Sequence, residues 1–540
     1  MRIPAITAGL PRWPHCALPV GLAPATVRLR DHLLARVGLD GAVREPCHSR
    51  VLESALLLAL LDRTRAEPAA RDRVARYLTG HRDSPQPLDR LLARGALRNS
   101  CQEVELRAVE EFLAQAPDFT GPRKRALLDA VLHLLGVTSA TAEPPAPAAF
   151  SSRGLHLWAR VQVTAVKVVL AHASGAIAYV HEDDVALLRS TQHPGIVWEG
   201  NLLIHLSVLH ALTLMPGHDQ LVGQGIRTAL AHQRPDGGMP FICDEDTWIT
   251  ATAGVALHAA GAGQPALDSI ARRLLALQQP DGGWSYSQRA QLTDVDCTSA
   301  AVEVLHLAGA QAHHASIRRA IDALHTVRGK DGGFPTYLAG APSEAGMTAA
   351  AANALTTQGG SQHVTVDAAL GYLSAVQHVD GSFPPDWSSS RLHTVFRAAL
   401  AATRHPAAPG SRGHAVARRC QALVLGSQNS DGGWGQQDGA ASDTLSTAYA
   451  LITLTTRPDH TAPAVVGRGV AYLLAQQRED GSVRSVPDSI GPRPFPFTVP
   501  VLADVFTLLA LGHLTHRTTP GPPGTGQERD RARGRPVSRV

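Results

Sequence analysis

A chain of 540 residues exceeds what one hydrophobic core ordinarily holds, so two packed domains are expected. With 44% hydrophobic and 18% charged residues, the composition is globular and excludes wholesale disorder. A net charge of +4 spread over this length gives no reason to expect nucleic acid as a partner.

From the N-terminus, MRIPAITAGLPRWPHC is interrupted by proline and too short in its apolar part for a secretory leader, so the expected address is cytoplasmic. VRLRDHLLARVGLDG (27–41) and SRVLESALLLALLDR (49–63) read as a helix–turn–helix pair. Residues 64–222 keep helical spacing without clean turn motifs. Their most apolar window, VTAVKVVLAHASGAIAYV, contains Lys167 and a glycine, so no membrane span is expected. The lysines are Lys124, Lys167 and Lys330; the bias toward arginine reads as genomic rather than functional. Cys16, Cys47, Cys101, Cys243, Cys297 and Cys420 form no CxxC pair, which argues against structural zinc or a disulfide framework.

A repeat then dominates. HQRPDGGMPF, QQPDGGWSY, GKDGGFPTY, QHVDGSFPPDW, SQNSDGGWG and QQREDGSV place turn aspartates at Asp236, Asp281, Asp331, Asp380, Asp431 and Asp480, spaced by 45, 50, 49, 51 and 49 residues. Self-similarity at this period signals stacked supersecondary units. Each unit predicts a helix such as LDSIARRLLALQQ, a stop at Asp-Gly, and a second helix such as DTLSTAYALITL. The array is therefore all-α, as an open solenoid or a closed toroid. Small residues in TATAGVALHAAG, TSAAVEVL and TAAAANAL suit crowded inner helices around a cavity, and the repeat tryptophans suit structural clamps. Residues 518–540, rich in Pro, Gly and Arg, predict a disordered tail.

After the second turn, Asp294-Val295-Asp296-Cys297 opens an apolar helix. An aspartate there has an ordinary use as a cap. At the mouth of an inner helix, however, burial and a neighbouring carboxylate would keep one member protonated near neutrality. Such a proton can be delivered to a poor base, even a carbon–carbon double bond.

DGGWSYSQRAQLTDVDCTSA resembles the motif region of class II terpene cyclases, the superfamily of squalene–hopene, oxidosqualene and bacterial diterpene cyclases, with the bacterial diterpene cyclases the nearest type. The resemblance spans roughly residues 27–515 and implies an all-α fold of two α/α-barrel toroids in the βγ arrangement. Residues 1–48 would hold the N-terminal segment and first helix of the β barrel, 49–222 the inserted γ barrel, and 223–517 the β barrel with its DxDC motif. By the same resemblance Asp296 would be the proton donor and Asp294 would tune it. Cys297 stands where the DxDD motif has its last aspartate; in oxidosqualene cyclases a cysteine there bonds the acid and the target is an epoxide. Tyr286 and Trp387 match cavity aromatics that stabilise cations, and Phe497 and Phe506 match cavity walls. His393 falls where a tyrosine approaches the acid and would be a reprotonation relay. The acid-assisting histidine of squalene–hopene cyclases is replaced by Ala350.

A diphosphate substrate would want arginines and Mg²⁺, with Asp244, Glu245 and Asp246 as candidate ligands and Glu182, Asp183 and Asp184 as a second acidic group. The EDxxD, DDxxD and NSE-type patterns are missing, so a diphosphate would be retained. The expected activity is protonation-initiated cyclisation of a small-molecule polyprenyl diphosphate. Geranylgeranyl diphosphate or its terminal epoxide would give a bicyclic labdane-like diphosphate, in the manner of a copalyl diphosphate synthase. A C15 diphosphate or a squalene-type triterpene is the alternative substrate. From other classes, a protein prenyltransferase β-like subunit or a non-catalytic α-toroid binding protein would share the repeats. Oligomeric state is not legible in the sequence.

Overall fold

The repeat turns explain why the chain folds back at regular intervals. In each, the aspartate Oδ1 accepts from the backbone N–H two residues later at 2.9 to 3.0 Å, from Asp236 to Asp480. The glycine between has φ from +85° to +96°, a conformation open chiefly to glycine. Space excludes a side chain as well, since a Cβ on Gly282 would lie 2.5 Å from the Arg319 carbonyl oxygen. Trp284 and Trp434 are wholly buried, and their indole N–H groups donate to Leu274 O (2.7 Å) and Val424 O (2.8 Å) of the preceding helix. Gln278 acts through hydrogen bonds: its amide donates to Gly282 O and to Ser316 O of the following outer helix. Gln428 does the same to Gly432 O and Val465 O.

The structure, a computed structural model, describes residues 19–99, 103–114, 120–138, 150–405, 410–457 and 461–518. Cys16, Cys101, the first 18 residues and segment 519–540, expected as a tail, lie outside these. Helix α1 is Leu22–Ala35. There follow α2 (Val51–Thr64), α3 (Pro68–His81), α4 (Pro87–Ala96), α5 (Glu103–Leu113) and α6 (Gly121–Leu134). Next come α7 (Leu157–Ala173), α8 (Glu182–Ser190), α9 (Leu202–Leu212) and α10 (Asp219–Leu230). Around this group α2, α4, α5, α6, α7 and α9 pack in sequence and α9 returns to α2, while α3, α8 and α10 lie against the outside.

The second ring takes its inner helices from α11 (Asp246–Ala259), α13 (Val295–Gly309), α15 (Ala345–Thr356), α17 (Leu392–Arg404), α19 (Thr444–Thr455) and α21 (Val501–Thr518). Each packs on the next and α21 packs back on α11, so the array is a closed toroid rather than an open solenoid. Its outer layer is α12 (Gln264–Leu277), α14 (His314–Val327), α16 (His363–Val376), α18 (Arg412–Gly426), α20 (Pro463–Gln476) and, from far upstream, α1. The last turn, through Gln477, donates to Ala25 O of α1, which completes the layer. The inner helices are buried almost throughout, as their Ala, Thr and Gly content requires for close approach.

Among the described residues, extended structure is limited to two-residue pairs. In one, β1 (Ser49–Arg50) pairs antiparallel with β2 (Met239–Pro240), joining the entry and exit of the first ring. A boundary at residue 222 would cut α10, which runs unbroken to Leu230 and packs on α9. The Asp236 turn follows, between α10 and β2.

Candidate active site between the two rings

The same turn that ends an outer helix sets the entrance of the next inner helix. Asp294 N donates to Trp284 O at 3.0 Å, so the buried tryptophan fixes the first residue of the acidic motif. Asp294 then caps α13, its Oδ1 accepting from Cys297 N at 2.7 Å. Other repeats reuse this position: Glu344 precedes α15 with its N–H on Phe334 O, and Asp443 caps α19. α13 adds a second carboxylate, Asp296, in its first turn, as α11 adds Asp246 after Glu245.

These helix mouths open on one cavity of about 460 Å³ between the rings, within the range of small-molecule sites. Asp294, Asp296, Cys297, His393, Tyr286, Trp387 and Phe497 all line it. Phe506 does not line it. It packs behind the wall, edge-on to Tyr449 at 5.1 Å and to His393 at 6.1 Å.

Burial pushes Asp294 up to about 7 against the opposing hydrogen bonds from Cys297, and the charge of Asp296 adds to the rise. Cys297 meets the acid pair through its backbone N–H on Asp294, and among the described hydrogen bonds its thiol makes none to Asp296, which differs from the epoxide-type arrangement expected above. Asp296 is instead paired with Arg397, whose Nη1 lies 2.7 Å from its Oδ1 in a largely buried contact. Burial works against the charge on Arg397, but Asp296 and Asp386 together outweigh it and keep the guanidinium charged. Arg397 lies one turn after His393 on α17, and sequence reasoning missed it. It supplies an ionic partner to the acid from a different helix than the one where Ala350 replaces the family's histidine.

His393 is directed elsewhere. Its Nδ1 is 3.5 Å from Asp386 Oδ2, and its ring meets Tyr449 and Phe396 edge-on. Burial alone would raise Asp386, yet bonds and charge from His393, with a bond from Thr394, hold it well below the usual carboxylate range. The expected relay from His393 to Asp296 is therefore not built: among the described contacts the histidine serves Asp386.

Aromatic faces line the rest of the cavity. Tyr286 meets Trp158 at 5.5 Å, Trp158 meets Tyr337 at 5.4 Å, and Tyr337 meets Trp387 at 6.2 Å, all near edge-to-face. Trp158 and Tyr337 went unrecognised in the sequence, although Tyr337 follows the Gly-Gly-Phe turn much as Tyr286 follows Gly-Gly-Trp. The first ring contributes cations, Arg123 and Lys124 of α6, and the loop before α21 contributes Arg493. Arg493 pairs with Glu344 at 2.7 Å and covers the Trp387 ring at 4.5 Å. Burial, with Arg493 and Arg123 adding to it, pushes Lys124 down to about 7.

The acidic triplet does not converge on a metal. Asp244 is taken by Ser287 and Arg289, Asp246 faces Arg44 at 3.5 Å, and only Glu245 reaches the cavity. Consecutive residues leading into a helix fan out around its axis, so they cannot share one ion. Asp184 of the other acidic group caps α8 and pairs with Lys167. Among the described residues no group of three or more His, Cys, Asp or Glu side chains could hold a metal ion, and Asp244, Glu245 and Asp246 do not come together as one set of ligands. Nor is any described helix long and apolar enough to cross a membrane.

The raised carboxyl has a thermodynamic consequence. Between the ordinary carboxyl range and about pH 7, folded Asp294 holds a proton that the unfolded chain has released. Stability contributed by this group therefore falls as pH rises through that window. Asp294→Asn keeps an oxygen for Cys297 N and carries no charge. It is expected to be more stable than the parent at pH 8 by at least about 1 kcal/mol, the gap closing toward pH 4. Thermal unfolding at both values checks this, and a pH-independent gap would refute it.

The comparisons agree with this architecture. Residues 202–384 match the prenyltransferase alpha-alpha toroid domain, and residues 339–516 match the squalene-hopene cyclase C-terminal domain. The chain is 40% identical to a drimenyl diphosphate synthase of Streptantibioticus cattleyicolor, over 94% of this chain and 98% of that one. It is 39% identical to a drimenyl diphosphate synthase of Streptomyces showdoensis, over 93% of this chain and 97% of that one. Its fold matches that of ent-copalyl diphosphate synthase from Streptomyces platensis with a TM-score of 0.59 at 18% identity, covering 92% of this chain and 100% of the other. With relatives of this identity aligned along nearly their whole length, the chain belongs to the class II terpene cyclases.

Proposed function

We propose that this cyclase acts on a linear C15 isoprenyl diphosphate, farnesyl diphosphate, and converts it to a bicyclic C15 diphosphate. The observation that carries the reading is the composition of one cavity: an acid pair at a helix mouth, aromatic faces beside it, and Arg123, Lys124 and Arg493 on the facing elements. The two relatives named for a drimenyl product favour the C15 alternative over geranylgeranyl diphosphate. With no thiol contact from Cys297 to Asp296 among the described hydrogen bonds, the argument for an epoxide loses its carrier, and a terminal alkene is the simpler target.

In this reading the proton of Asp296 goes to the terminal alkene carbon, and Arg397 stabilises the carboxylate left behind. Two ring closures pass the cation along Tyr286, Tyr337, Trp158 and Trp387, whose faces stabilise it without offering a nucleophile. Loss of a proton ends the reaction, so the proton count is conserved and the diphosphate stays on the product. The cations of α6 and the Arg493 loop would hold that diphosphate. Because the acidic triplet does not come together as one set of ligands, no step is assigned to Mg²⁺.

The test is incubation of the protein with C15 and C20 diphosphates and their terminal epoxides, followed by dephosphorylation and product analysis. A bicyclic C15 alcohol as the dominant product is expected; preference for a C20 substrate would overturn the chain-length assignment. Lys124→Met is expected to raise KM for the diphosphate by about 10- to 100-fold, the worth of one charged hydrogen bond, with a smaller change in kcat. An unchanged KM would remove Lys124 from the anchor.

A further inference from the structure

A cation is attracted to an aromatic face only within about 6 Å, so the faces along its path have to be held still. Trp158 comes from α7 of the first ring and Tyr286 from a turn of the second, and a tie between the rings must fix the two together. That tie is Glu199, in the turn between α8 and α9. Its Oε2 accepts from the Trp158 indole N–H at 2.8 Å and from Gln291 N, also at 2.8 Å. Its own carbonyl accepts from the Tyr286 hydroxyl. One residue therefore holds both members of the 5.5 Å edge-to-face pair, together with the segment that leads three residues later into Asp294. Glu199 is 7% exposed and stands behind the wall rather than in the cavity lining. Two costs accompany this placement. Its φ of +54° lies in the left-handed region that residues other than glycine rarely enter, and its carboxylate is withdrawn from water. The backbone is pinned there, with Gly200 N donating to Val197 O at 3.0 Å and Cys243 N donating to Gly200 O at 2.8 Å. An apolar side chain on a relaxed turn would join the rings without either cost, but only an acceptor can aim an indole by its N–H.

We infer that Glu199 is the positioning residue that decides how far cyclisation runs, by fixing the orientation of Trp158 and Tyr286 beside the cation formed at the first ring closure. With the faces in place, the next alkene closes on that cation. With Trp158 loose, the same cation is quenched early. It passes a proton to water and leaves a monocyclic diphosphate isomeric with the bicyclic one, or it adds water and sheds a proton as a monocyclic alcohol. In each case the diphosphate stays and nothing is oxidised or reduced. The inference rests on the cyclisation reading above. Its readout is a ratio of products, which does not depend on how much of the protein is folded.

Glu199→Ala removes the side-chain acceptor and leaves the carbonyl that holds Tyr286. With farnesyl diphosphate, the ratio of bicyclic to monocyclic product after dephosphorylation should fall about 3- to 30-fold from the parent's, the worth of one desolvated cation–aromatic contact. Glu199→Gln retains an acceptor oxygen and should recover most of the parent ratio. Trp158→Phe keeps a ring without the N–H and should lower the ratio with Glu199 intact. A substrate-free arm uses NMR of protein carrying isotope-labelled tryptophan. The indole signal that disappears in Trp158→Phe should move in Glu199→Ala and hold its place in Glu199→Gln. An unchanged product ratio or an unmoved indole signal in Glu199→Ala would overturn the assignment, since a purely structural tie predicts fewer active molecules with the parent's product ratio. If the parent makes no cyclic product from farnesyl diphosphate, the proposed function fails and this inference falls with it. A bicyclic parent whose Ala variant keeps the same ratio sinks this inference alone.

Discussion

Asp296→Asn is expected to lower the cyclisation rate by about 10²- to 10⁴-fold, the contribution of a positioned general acid. The amide is isosteric, and its oxygen can still accept from Arg397 Nη1, which sits 2.7 Å from Oδ1 in the parent. An amide N–H, however, cannot be transferred to carbon. The substitution also removes one of the two carboxylates that hold Arg397 charged, so a stability loss on the order of 3 kcal/mol accompanies it, with Asp386 retaining the cation. Circular dichroism at the assay temperature separates the two effects: the variant should be folded and silent. Turnover within tenfold of the parent would show that the proton comes from another group.

Arg397→Gln should reduce kcat by about 100-fold while leaving KM within a few fold, because the guanidinium lies behind the acid and is not part of the cavity wall. Its role is positioning. It holds one carboxylate oxygen and stabilises the charge that appears when the proton leaves. Arg397→Lys should recover part of kcat, since it restores charge without the planar fork. A purely structural role predicts something different, a smaller folded fraction with unchanged kcat per folded molecule and no rescue by lysine.

The repeats made the second ring legible because each Asp-Gly turn carries its own reason in sequence: a carboxylate that caps the turn and a glycine at positive φ. Asp294, Asp296 and Cys297 were legible for the same reason, being anchored to the Trp284 turn. Arg397 was not, because its significance depends on α17 and α13 presenting one face each to the same point, a relation about one hundred residues apart in sequence. Lys124 was hidden by the first ring's irregular turns and by a lysine scarcity that has a genomic explanation; only its burial beside Arg493 marks it. The acidic triplet misled because three adjacent carboxylates look like one site until the start of α11 spreads them apart.

The second ring is sealed by segments from opposite ends of the described chain, α1 resting on α21 with Thr26 Oγ1 3.2 Å from Thr515 Oγ1. During synthesis α1 leaves the ribosome several hundred residues before the helix it must meet. At about 5–20 residues per second it waits for tens of seconds. The apolar faces of the intervening inner helices remain uncovered for much of that interval, while the first ring, with nearer contacts, can already fold. The reaction chamber therefore comes into being only once α21 has been made, and the nascent protein is at its most aggregation-prone just before that helix closes the ring.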